Sequence, residues 1–230
     1  MQGAENGFID LLMKSVRHPS IHVCGIALEA LNFLLSPRSD LSTQLLPLLQ
    51  GKAIVPSFLV GLSSQDQCDV DHNEFERFRE HLLTDILISC YKTNRNYYIE
   101  SCTSAIDEFC STGSTNAQVA YQLEAALFCL GAVSIEATKR AALFLKSPAA
   151  QEAAAKASRL QNHENVDVQS ISHDSKLHDD HLAKTIRTLS NAPEVALSNP
   201  LFLSQMCRFI GKVSRIDVFC KTITTVILLT

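Results

Sequence analysis

The chain has no tryptophan, and aromatic residues fill only 7% of its 230 positions. That composition argues against a stacking platform for single strands or sugars. Excess positive charge is missing too. The formal net charge is −4, which gives no broad cationic field, so direct nucleic-acid binding is not expected. Glycine is scarce, 8 in all, and too thinly spread for phosphate-cradling turns. No GxSxG, HExxH or Walker-type motif occurs. The acidic residues sit on exposed helix faces, where solvation is the default role. No enzyme activity and no cofactor are therefore expected.

None of the eight cysteines (Cys24, Cys68, Cys90, Cys102, Cys110, Cys129, Cys207 and Cys220) belongs to a CxxC pair. A zinc or redox site needs thiolates converging at short spacing, so no metal is expected. Most of these cysteines lie in apolar helical runs and read as reduced, buried small hydrophobes, which implies an intracellular compartment. A membrane-spanning run is also missing. The opening MQGAENGFID has neither the basic nor the apolar region of a signal peptide. The closing VFCKTITTVILLT is too short to span a bilayer and is cut by Lys221, so no membrane association is expected. An apolar end is unusual for a finished helical stack, and a fragment of a longer superhelix is the expectation.

What is present is helical periodicity. From Asn73 to Tyr91 (NEFERFREHLLTDILISCY), Phe75, Phe78, Leu82, Ile86 and Tyr91 recur at helical spacing, with Leu83, Leu87 and Ile88 beside them. Glu76, Arg77, Glu80 and Asp85 fill the other face. Gly7 to Val16 reads as a short helix, and His18-Pro19-Ser20 as the turn after it, with Ser20 a candidate N-cap. The next helix spans about Ile21 to Leu35, with Val23, Ile26, Ala27, Ala30, Phe33 and Leu34 expected inward. Leu41 to Leu62 reads as one or two helices, broken near Gly51 and kinked at Pro56. Further helices are expected over Asn94–Thr112, Asn116–Ser134 and Ala137–Leu145. Beyond them lie an alanine-rich helix, a polar exposed loop, and helices near Leu182–Leu189 and Pro200–Lys212. No alternating β-branched run bounded by turn signals occurs.

Two clusters resemble metal sites without meeting their requirements. DVDHNEFERFRE places Asp69, Asp71, Asn73 and Glu80 at calcium-loop positions, but Glu74 stands where the loop needs glycine. A turn followed by an N-capped helix explains it better. His163, His173, His178 and His181 stand near Asp174, Asp179 and Asp180, at a spacing that fits no metal-site pattern. A solvated loop is the expected reading there.

Helix pairs of about 40 to 47 residues have the HEAT/armadillo period. The expected fold is therefore all-α, a right-handed α-solenoid of HEAT/armadillo-like helix pairs, with a compact helical bundle as the alternative. The division expected is helical repeats over 1–148, an alanine-rich helix and flexible loop over 149–181, and further helices over 182–230.

Four blocks, in order, carry a family likeness. HPSIHVCGIALEALNFL opens on the His18-Pro19 turn. EFERFREHLLTDILISCY contains Phe75, Phe78, Arg79, Asp85 and Leu87. YQLEAALFCLGAVS contains Glu124, with Tyr121 where the family prefers tryptophan. NPLFLSQMCRFIGKVSRI contains Gly211, and Val213-Ser214-Arg215 replaces the usual aromatic-serine-aromatic ending. Together the chain resembles the central part of an importin-β-type nuclear transport receptor of the transportin-SR and importin-thirteen branch. The resemblance implies protein cargo bound along a helical scaffold, shuttling between nucleus and cytoplasm, and coupling to the GTPase Ran. The main Ran site is expected outside this chain, and nucleoporins are further candidate partners. It implies no catalytic residue. His18, Pro19, Phe75, Phe78, Arg79, Asp85, Glu124 and Gly211 are family-like positions, mostly structural. For Phe75 and Phe78 a core role is expected, and for Arg79 or Asp85 pairing within the stack. A generic HEAT or armadillo scaffold unrelated to Ran is the alternative function. A helical enzyme domain completed by sequence elsewhere and a degenerate, non-functional piece are the other rivals.

Overall fold

In a computed structural model, the protein is described over residues 2–35, 38–56, 72–111, 116–145, 181 and 184–213. Every regular element among these residues is helical, so the fold is all-α. In chain order they are α1 Gln2–Val16, α2 Ile21–Leu35, α3 Ser39–Ala53 and α4 His72–Arg77. A π-helical turn, Phe78–Leu83, then runs without interruption into α5 Thr84–Thr93. After these come α6 Arg95–Ser111, α7 Ala117–Leu145, α8 over 184–190, α9 Glu194–Leu197 and α10 Pro200–Val213.

Helix contacts link the elements in succession. α1 lies on α2, which meets the π turn and α5. Next, α5 packs on α7, and α7 on α10. Alongside these, α3 contacts α6 and also α5 and α7, while α6 lies on α7. α8 joins α6 through Asp107, which accepts hydrogen bonds from Lys184 and from Thr188 (2.7 Å). Residues 118–137 of α7 are long and apolar enough to cross a membrane by length and composition, but most of this stretch is covered by the surrounding helices.

Local chemistry sets the ends and joints. His18 Nδ1 accepts a hydrogen bond from the Ser20 N–H (3.1 Å), closing the turn between α1 and α2. Lys52, near the end of α3, donates to the His18 carbonyl and ties that turn to the next pair. Pro47 lies inside α3 and cannot donate to the carbonyl of Thr43 four residues earlier. The Tyr97 hydroxyl of α6 donates to that carbonyl instead (3.3 Å). Asn199 Oδ1 accepts from the N–H groups of Leu201 (2.9 Å) and Phe202 (3.2 Å), capping α10 at its Pro200 start.

Several expectations need correction. On α2, Phe33 is 86% exposed and Ile26 71%, and Val23 also faces out; Cys24, Ala27, Leu28, Leu31 and Leu35 form the buried face. α2 is apolar on both sides, so spacing alone does not choose its inner stripe. Close approach does. A Cβ at Gly25 would stand 3.3 Å from Leu82, so the face carrying the small residues is the one that fits against the π turn. α3 ends at Ala53, two residues past Gly51, so Pro56 follows the break instead of kinking a helix, and residues 57–62 of the expected span lie outside the described residues. The break expected between Ser134 and Ala137 does not occur. No glycine or proline interrupts that stretch, and the Ser134 hydroxyl bonds back to the Gly131 carbonyl (2.8 Å). The short α9 was not expected. The candidate ligands Asp69, Asp71, His163, His173 and His178, the alanine-rich helix and the C-terminal VFCKTITTVILLT lie outside the described residues.

Candidate functional site: a buried arginine–glutamate pair at the π turn

Spacing places Arg79 inside an apolar stripe. It follows Phe75 by four residues and precedes Leu82 and Leu83 by three and four, so the helix carries its charge inward. The π turn, closed in part by the Thr84 hydroxyl donating to the Arg79 carbonyl (2.9 Å), sets its aim. Glu124 occupies the matching position on α7, amid buried Ala120, Leu123, Ala125 and Leu127.

The two side chains meet in the interior, 4% and 5% exposed. Arg79 Nη2 donates to both oxygens of Glu124, at 2.8 and 3.0 Å. Its Nη1 lies 3.6 Å from Glu76, one turn back on its own helix. The guanidinium carbon stands 4.2 Å from the centroid of Phe128 and 5.7 Å from that of Phe75, so ring faces cover it on two sides. Among the described residues, Arg79 Nε is buried with no acceptor. Above the pair, Arg208 of α10 reaches to 4.0 Å from Glu80, both ends in water. Burial pushes the Glu124 carboxyl above the usual glutamate range; Arg79 pulls it down, Glu76 pushes it up, and Arg208 pulls it down again. Lys212, whose ammonium is 3.4 Å from the Gly131 carbonyl, is lowered by burial and by Arg208, with Glu80 opposing.

Of the family-like positions, the fold thus gathers Phe75, Phe78, Arg79 and Glu124. Phe75 and Phe78 are core residues in ring contact (centroids 6.4 Å apart), and Arg79 pairs within the stack. His18 and Pro19 stand apart at the exposed α1–α2 turn. Asp85, expected like Arg79 to pair within the stack, is exposed instead. Gly211 is exposed, and a Cβ there would meet nothing within 4 Å. Sequence reasoning missed Glu76, Phe128 and Arg208 as members of the site. For Glu76 the i−3 spacing to Arg79 was available; nothing local points to the other two.

A second buried cluster surrounds Tyr98. Its hydroxyl donates to the Cys129 carbonyl (2.7 Å), its ring meets Tyr91 edge-on (5.7 Å), and Gln50 Nε2 lies 3.6 Å from Cys102 Sγ. Burial pushes the Cys90 and Cys102 thiols up to about 12. Among the described residues, no group of three or more His, Cys, Asp or Glu side chains is placed to hold a metal ion.

Chemically, the Arg79–Glu124 arrangement is a charged link between helices. The guanidinium does not give up its proton, and each partner is engaged by the other. What the link does is join the π turn to α7. No protein-family profile, no curated protein and no solved structure matches the chain.

Proposed function

We propose that this chain is a scaffold of HEAT/armadillo-like helix pairs, part of an α-solenoid, that binds protein partners as a nuclear transport receptor segment. The observation that carries the reading is the order of packing. α2, the π turn with α5, α7 and α10 meet in succession, and α3, α6 and α8 lie alongside them, with α3 also reaching α7. A stack built from nearest-neighbour contacts converts small shifts between pairs into changes of curvature, which is how such a scaffold grips and releases a partner without chemistry.

The transport assignment rests on the four blocks. Three of them meet at one place: Phe75, Phe78 and Arg79 from the second, Glu124 and Phe128 from the third, and Arg208 from the fourth. On this reading the partner is protein cargo, Ran governs its release or uptake with its main site outside these residues, and the protein shuttles between nucleus and cytoplasm.

The test is a pulldown from mixed nuclear and cytoplasmic extract, using the chain with any flanking coding sequence, in the presence and absence of GTP-locked Ran. Proteins captured and then released by Ran-GTP support an import receptor, and proteins retained only with Ran-GTP support export. Partners indifferent to Ran leave a generic helical scaffold in place of a transport receptor.

A further inference from the structure

Arg79 stands between two acceptors on different helices. Both oxygens of Glu124 across the interface hold Nη2, while Nη1 lies 3.6 Å from Glu76 on its own helix and Nε has no acceptor among the described residues. The donor set is thus incompletely used in the observed position. A guanidinium carries five donors in a rigid fork, and leaving one buried without an acceptor is unfavourable. Glu76 is 30% exposed, so a shift of the guanidinium towards it is also a shift towards water, which would solvate the orphaned Nε–H. The backbone that carries Arg79 is suited to such a shift. π turns are rare, mostly appear as single-turn bulges, and interrupt the regular i→i−4 ladder.

We propose that Arg79 is a two-position coupling element between successive helix pairs. On Glu124 it ties the π turn to α7; on Glu76 it belongs to its own helix alone, and the two pairs are free to change their angle. The exposed Glu80–Arg208 contact is a second strap over the same joint, from the π turn to α10. A partner that takes up either of its charges bears on the joint from outside. The proposal concerns the joint itself and does not depend on what the scaffold binds.

The test is amide hydrogen exchange on the full chain, comparing residues 78–84 with the amides of α1 and α2 as an internal reference. In Glu76→Gln the competing acceptor is gone, and exchange in 78–84 slows by about threefold or more. In Glu124→Gln the guanidinium moves to Glu76, and exchange in 78–84 speeds up by about tenfold while the reference amides do not change. A static ion pair makes Glu76→Gln neutral or slightly loosening, so unchanged or faster exchange in that variant overturns the proposal. Equal acceleration of the reference amides in Glu124→Gln also overturns it. Should Glu124→Gln fail to fold, the Glu76→Gln result decides alone.

Discussion

Arg79 and Glu124, 45 residues apart in sequence, are joined by two hydrogen bonds in the interior, and their contact ties the π turn to α7. Removing one partner leaves a buried charge facing apolar groups, which typically costs about 3–5 kcal/mol, whereas replacing both with apolar residues of similar size is often neutral. We therefore expect Arg79→Met to destabilise by about that amount, and Glu124→Leu by less, because Arg79 then turns to Glu76. The double variant should be close to the native protein in stability. Urea unfolding of all four proteins checks this cycle.

The pH dependence of the pair has a definite sign. Folding raises the Glu124 carboxyl because burial outweighs the pull of Arg79. A carboxyl raised by folding binds its proton more tightly in the native state. Its contribution is greatest below the ordinary glutamate range and is lost as pH rises through the raised value. Asp107 runs the other way: burial pulls it up, but the hydrogen bonds from Lys184 and Thr188 prevail and lower it. Its contribution is present above the ordinary aspartate range and lost as pH falls through the lowered value. Glu124→Gln mimics the protonated form. We expect its stability relative to the native protein to increase as pH is raised from about 4 to about 8. A difference that stays flat across that range would contradict the assignment.

The face of α2 gives a sharp contrast between two neighbours. Leu31 is fully buried and Phe33 is 86% exposed. We expect Leu31→Ala to cost about 2–5 kcal/mol and Phe33→Ala about 0.5 kcal/mol or less. Thermal or urea unfolding of the two variants separates the buried face found here from the face that spacing alone suggests.

Thiol reactivity follows burial. Cys207 is exposed on α10, whereas Cys24, Cys90, Cys102 and Cys129 are buried, and the Cys90 and Cys102 thiols are held near 12 by that burial. Only the thiolate reacts, so at pH 8 the native protein should alkylate at Cys207 far faster than at these four. Peptide mapping after brief iodoacetamide treatment reads the order directly.

Helical class and most helix positions were legible because the apolar stripes of α5, α6 and α7 are long and cleanly periodic. The stripe of α7 (Leu123, Ala126, Leu127, Leu130 and Val133) is buried as its spacing predicts. Orientation failed on α2, where two apolar stripes compete and the winner depends on how closely Gly25 lets the π turn approach. The helix expected to end at Ser134 runs on as α7, and the Ser134 hydroxyl bonds within it. The carbonyl that Pro47 leaves without its helical donor in α3 is met by Tyr97, some fifty residues away, a compensation no local rule could supply. Arg79 was half legible: its spacing places it in the stripe, but its partner is set by tertiary packing alone.

The central claim is a helical scaffold whose grip on protein is coupled to a GTPase signal. Its most direct test is the dissociation constant for a purified, captured partner, measured with and without saturating Ran-GTP on the chain together with any flanking coding sequence. The account predicts a change of about 5- to 150-fold, the range of a coupling free energy of about 1–3 kcal/mol between two sites. A constant that is the same with Ran-GTP, Ran-GDP and no Ran would contradict the transport reading.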